Sequence, residues 1–162
     1  MAHYDAFLKL DGLDGESTDD KHKGEVELSS FSWGVSHLQT LGSATGGAGS
    51  GRASFTDLSI TKDVDKASAV LFQKCATGEH FAKGKLTVRK AGGQQQEYLV
   101  YTLETVFVTS SHFSHAAGQE SCQESVTLAV GKVGMDYSPQ KADGSLAAAV
   151  HGGWDILTNK KY

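Results

Sequence analysis

Apolar and polar positions alternate along most of the chain, so the dominant period is two and the expected element is the β-strand. Tyr4, Ala6, Leu8 and Leu10 alternate with Asp5, Phe7 and Lys9, predicting a short strand ended by Asp11-Gly12. A second strand is expected over about 24–36, and its phase changes midway. Val26 and Leu28 share one face, then Phe31, Trp33 and Val35 share the next. A three-residue step of this kind is what a β-bulge or sharp bend does to a strand. The step recurs where Ala53 and Phe55 give way to Leu58 and Ile60, and where Val126, Leu128 and Val130 give way to Val133, Met135 and Tyr137. Three long strands that each change face imply a strongly coiled sheet, as in a small barrel or orthogonal sandwich. Further strands are expected over about 84–90, 96–109 and 152–158, with Ala91-Gly92-Gly93-Gln94 as a hairpin turn.

One segment has a helical period. Ala67, Val70, Leu71 and Cys75 recur at 3.6-type spacing, Asp65 can cap them, and Gly78 is a natural stop, so a helix is predicted over about 66–77 with Cys75 on its buried stripe. Residues 37–52, 110–123 and 138–151 carry no period and are expected as long loops. No internal repeat or domain boundary is visible, and the 162 residues suit one domain.

Composition sharpens this picture. The chain has 19 glycines and a single proline, which fits tight turns between strands rather than a low-complexity or collagen-like chain. Its net charge of −4 argues against a nucleic-acid or anionic-membrane binder, both of which want a basic face. The two cysteines, Cys75 and Cys122, are too few for a disulfide scaffold. No basic segment leads into an apolar one at the N-terminus, and no run approaches the ~18 apolar residues of a membrane helix, so neither a cleaved signal nor membrane insertion is expected.

Candidate chemistry is sparse. His112 and His115 have H-x-x-H spacing but sit in a Ser/Ala/Gly segment with only Glu120 near, so a metal site lacks further ligands. Ser17, Asp19, Asp20 and His22 invite a hydrolase reading, yet no Gly-x-Ser-x-Gly elbow or oxyanion donor accompanies them. Glu97 and Glu104 fall in a polar/apolar alternation and read as a solvated face. The glycines of 42–51 lack the Gly-Lys-Ser/Thr ending of a phosphate loop, Arg52 closing the run instead. Arg89 and Lys90 end a strand, which suits hairpin solubility or a subunit contact rather than phosphate binding. Ser30 and Ser32 point opposite Phe31 and Trp33, onto a wet face that is either plain solvent or the lining of something hollow. No cofactor and no catalytic residue are expected.

Six blocks occur in an order that resembles one family. They are Asp11-Gly-Leu-Asp-Gly-Glu-Ser-Thr-Asp-Asp-Lys-His22, Ser32-Trp-Gly34, Asp57-Leu-Ser-Ile-Thr-Lys62, Leu86-Thr-Val-Arg-Lys-Ala-Gly-Gly93, Pro139-Gln-Lys-Ala-Asp-Gly144 and Gly153-Trp-Asp155. The chain resembles Hcp, the haemolysin co-regulated proteins of bacterial type VI secretion systems. The resemblance implies a mainly β fold, a small β-barrel of two sheets with one flanking helix and a long extended loop over about 37–52, in a single domain over 1–162 with no appended effector domain. It also implies a non-enzymatic tube subunit. Such subunits form hexameric rings that stack into a hollow tube, carry small effectors in the lumen, and are driven out with a spike protein by a contractile sheath. Assembly would be cytoplasmic and export would run through the apparatus. Ser32 and Ser30 are then expected at the lumen, and Gly42, Gly46, Gly47, Gly49, Gly51, Arg52, Arg89 and Lys90 at subunit or ring contacts. The competing readings are a monomeric β-barrel binding module for carbohydrate or adhesion, and an uncharacterised hydrolase.

Overall fold

The computed structural model describes residues 4–39, 50–90 and 94–162. The strands are β1 (Tyr4–Leu10), β2 (Val26–Leu28), β3 (Ser30–Ser32), β4 (Val35–Gln39), β5 (Ser50–Phe55) and β6 (Leu58–Asp63). After the helix α1 (Ala67–Thr77) come β7 (His80–Lys90), β8 (Glu97–Ser114), β9 (Gln123–Tyr137), β10 (Val150–Asp155) and β11 (Lys160–Lys161). The expected second strand is therefore three short ones, and residues 110–114, expected in a loop, extend β8. Apart from Phe113 they carry hydroxyl and imidazole side chains and no apolar alternation, but their backbone pairs in register with β9, Ser110 against Thr127 and His112 against Ser125. Residues 35–39 and 50–55 pair as an antiparallel ribbon, so 37–39 and 50–52, expected in the extended loop, are strand.

Nine strands form one sheet in the order β11-β10-β9-β8-β7-β1-β2, with β6 branching from β9 and β3 pairing β6. The β4–β5 ribbon is separate. The fold is mainly β with one helix, as expected. The hydrogen-bonded ladder is one large sheet and a ribbon rather than two comparable sheets, and it does not close: β2 and β3 share a backbone through Ser29, whose N–H donates to Thr61 O at 2.7 Å, without a ladder between them.

The phase slips have visible causes. At Ser29 the chain passes from pairing β1 to pairing β6. In β9 the partner changes from β6 to β10 beyond Leu128, and the buried set shifts from Val126 and Leu128 to Val133. Strand β8 makes the same change opposite, from Tyr101 and Leu103 to Val106 and Val108. Between them Thr105 adopts φ 55°, across from Gly131, where an added Cβ would lie 3.1 Å from Thr105 Cβ. A β-branched residue in the left-handed region is strained. Thr105→Gly is expected to raise stability by about 1 kcal/mol, measured by urea unfolding, with the bend intact.

The core lies on one face of the sheet, built from residues such as Leu8, Leu86, Leu103, Leu128 and Ile60, and α1 adds Ala67 and Leu71. Gly78 ends the helix at φ 75°, its N–H donating to Lys74 O. Val70 is 36% exposed, so it rides the rim of the buried stripe rather than its centre. Asp65 accepts from Ala67 N at 3.0 Å and so serves the helix start, as its position predicts. It also holds a buried cation. Lys62 Nζ lies 2.8 Å from Asp65 Oδ1 and 2.8 Å from Glu124 Oε2, and both Lys62 and Glu124 are fully buried. Ser68 on α1 donates to Glu124 Oε2 at 2.5 Å and accepts from Lys62 at 3.0 Å. The network bolts α1 to β6 and β9.

Candidate assembly surfaces

Strand alternation sets which side chains share the face opposite the core. Ser30 and Ser32 are both exposed, while Phe31 between them packs on the core. Register then extends their face across four strands. Ser32 pairs Ser59, Ser59 pairs Thr127, and Thr127 pairs Ser110. One row over, Ser30 pairs Thr61, Thr61 pairs Ser125, and Ser125 pairs His112. The result is a continuous surface of short hydroxyl side chains, with His112 at the end of the second row and no Asp, Glu, Lys or Arg in either. Ser110 and Thr127 hydroxyls bond across it, and Thr109 bridges to Thr127 at 2.7 Å and donates to Asp57 at 2.7 Å. Sequence reading found only the β3 pair. The signal for the rest was the Ser/Thr phase of β6 and β9, opposite Leu58, Ile60, Val126 and Leu128.

The other predicted residues divide. Arg52 is exposed on β5 and donates to Ile156 O at 3.3 Å, tying the ribbon's root to the segment after β10. Lys90 donates to Gln140 at 2.6 Å, which anchors the 138–149 segment. Gly51 lies in β5, whereas Gly42, Gly46, Gly47 and Gly49 lie outside the described residues. Arg89, expected at a contact surface, is only 2% exposed and is an internal clamp instead. Its NH1 donates to Asp19 Oδ1 at 2.9 Å, NH2 donates to Asp19 Oδ2, and Nε reaches Asp5 at 3.3 Å. The guanidinium sits 4.8 Å from the Phe7 ring centre. The physical reason is a polar loop whose carboxylate must be met by a cation. Hydrogen bonds from Arg89 hold Asp19 down to about 2, helped by the backbone N–H groups of Lys21 and His22.

The hydrolase candidates are consumed by the same loop. His22 is 5% exposed and stacks on Phe7 at 4.3 Å with a 6° interplanar angle. Its Nδ1 lies 2.7 Å from Glu25, and its Nε2 lies 2.9 Å from Glu97, close enough for ion pairing but off line for a hydrogen bond. Both ring nitrogens face carboxylates, so neither serves Ser17, whose hydroxyl accepts from Asp19 N at 3.3 Å. Asp20 is exposed. Glu104 stands 3.5 Å from Lys132, partly exposed as its alternation predicts. His112 belongs to β8 and His115 follows it. Among the described residues no group of three or more His, Cys, Asp or Glu side chains is placed to hold a metal. No described helix is long and apolar enough to cross a membrane.

Residues 7–137 match the family described as "Type VI secretion system effector, Hcp". A relative, Protein hcp1 of Pseudomonas aeruginosa, is 41% identical over 157 residues, covering 96% of each chain. A solved structure described as that of a type six secretion system protein superposes with a TM-score of 0.93 at 34% identity, over 99% of this chain and all of the other. Hcp1 from Salmonella typhimurium gives 0.78 at 36% identity, over the full length of both. With the family's match spanning most of the chain and these relatives covering nearly all of it, the chain belongs to the Hcp family of type VI secretion proteins.

Proposed function

We propose that this protein is the non-enzymatic tube subunit of a type VI secretion apparatus. Copies close into six-membered rings, and rings stack into a hollow tube that carries small effector proteins. The observation that carries the reading, beyond family membership, is the four-strand hydroxyl face. A tube must hold cargo and then let it go. Short Ser and Thr groups offer many weak, interchangeable hydrogen bonds and no fixed charge to trap a cargo. In this reading Ser30 and Ser32 face the lumen, and the ladder rolls into a barrel with Ser29 as its covalent joint. A spike protein and a contractile sheath are the expected further partners. Assembly takes place in the bacterial cytoplasm and export follows through the apparatus itself. Both ring nitrogens of His22 face carboxylates rather than Ser17, which favours this reading over the hydrolase.

Two measurements test it. Light scattering is expected to give a mass near six times 17.2 kDa, and a monomer at micromolar concentration sinks the reading. Ser32→Gln is expected to leave ring mass unchanged and to lower co-purification of a cognate effector on the order of ten-fold, the loss of ~1.4 kcal/mol. Unchanged retention of every effector tested removes Ser32 from the lumen.

A further inference from the structure

An apolar cleft of about 200 Å³ opens where the root of the β4–β5 ribbon, β8, β9 and the segment after β10 meet. Trp33, Phe55, Tyr101 and Ile156 wall it, and the buried Leu103 and Val133 form its floor. Packed interiors hold few voids larger than a water molecule, so a space of this size beside the core needs a reason to stay open. Its walls are tied from behind. Thr56 N–H donates to Gly34 O at 2.9 Å and Thr56 Oγ1 accepts from Gly34 N at 2.8 Å, which sets the span between Trp33 and Phe55. Ile156 N–H donates to Gly131 O at 2.9 Å and ties the far wall to β9. Tyr101 is braced by two rings, edge-on to Trp33 at 5.3 Å and to Phe31 at 5.8 Å. The cleft is therefore preformed, as small-molecule sites in the mouths of β-folds commonly are.

Size and charge together define the occupant. An apolar cavity of about 150 Å³ takes up benzene, so this cleft suits one aromatic ring with a short chain. Asp57 is the one charged side chain among the described residues that line it, and it is exposed at the mouth. Its Oδ2 accepts from Thr109 Oγ1 at 2.7 Å, which orients the carboxylate, and no described residue donates to Oδ1. Arg52 donates to the Ile156 carbonyl at 3.3 Å and does not line the cleft. An apolar recess with one oriented carboxylate oxygen at its mouth complements an apolar body that ends in a cationic donor.

We propose that this cleft binds a small arylalkyl primary amine, its ring among Trp33, Phe55 and Ile156 and its ammonium group on Asp57 Oδ1. Binding of this kind needs no partner copy and is independent of the tube reading. Phenethylamine is the probe, compared at neutral pH with phenethyl alcohol, which is neutral, and phenylpropionate, which is an anion. In the full chain carrying Trp154→Phe, Trp33 is the sole tryptophan, so its fluorescence reports on the cleft, and calorimetry of the wild type gives the affinities. The amine is expected to change Trp33 emission saturably with a Kd of about 1 mM or tighter, and the alcohol and the anion to bind about ten-fold more weakly. Asp57→Asn keeps the shape of the mouth and is expected to bring the amine down to the affinity of the alcohol, with the alcohol unchanged. Equal affinity of the wild type for amine and alcohol, an amine preference that survives Asp57→Asn, or no binding of the amine at about 10 mM overturns the inference.

Discussion

Glu124→Ala is expected to cost about 3–5 kcal/mol, which for a chain of this size lowers the melting temperature by roughly 6–20 °C. The magnitude follows from what is left behind. Lys62 and Glu124 are each fully buried, so removing the carboxylate strands an ammonium group with Asp65, Ser68 and one carbonyl for company. Coulomb attraction that offset two desolvation penalties would then offset much less than one. The double variant Lys62→Met/Glu124→Leu should recover most of the loss. It removes both charges together, and Asp65 can still accept from Ala67 N at the helix start. It also eliminates Glu124 Oε1, a buried acceptor with no partner among the described residues. Chemical denaturation of the three proteins decides the matter. A single variant that loses under about 1 kcal/mol would show that water or a rearranged Asp65 replaces the carboxylate.

The same pair shows what a sequence displays and what it hides. Strand alternation made β1 and β9 readable, and the slips at Leu28–Phe31 and Val130–Val133, expected as bulges or bends, fall where the chain changes partner. Lys62 falls in phase with Leu58 and Ile60, and Glu124 in phase with Val126 and Leu128. Period-two reading treats such residues as exceptions, because nothing local says that two apolar-phase charges of opposite sign, 62 residues apart, will meet. The matching slip in β8 stayed hidden, since Glu104 and Thr105 interrupt the apolar pattern with residues at home on either face. Helix α1 was legible from Asp65 to Gly78 because its stop and its cap are local features. The lumen candidates were half legible. Ser30 and Ser32 stood out by alternating with Phe31, but the breadth of the hydroxyl face depends on the β3-β6-β9-β8 order, which only long-range pairing reveals. Arg89 was misread for a related reason: a charge at a strand end resembles solvated punctuation until the loop carrying Asp19 folds over it.

Arg89→Met is the second substitution expected to show a large effect, on the order of 2 kcal/mol at neutral pH. The side chain is nearly inaccessible, and it joins β7 to Asp5 on β1 and to Asp19 in the 13–25 loop. Asp5 and Asp19 keep partial contact with water, which is why the figure stays below that for Glu124. Methionine preserves the packing against Phe7, so the measured loss reports the ionic contacts rather than a cavity. The pH dependence separates the two further. Asp19 ordinarily titrates near 3.8 and is lowered to about 2 in the fold, so its contribution is present above its unfolded value and is lost as pH falls through the folded one. The gap between wild type and Arg89→Met should therefore narrow between pH 6 and pH 3, as the unfolded chain takes up a proton that the folded one refuses. A gap of constant size over that range would assign Arg89 to packing alone.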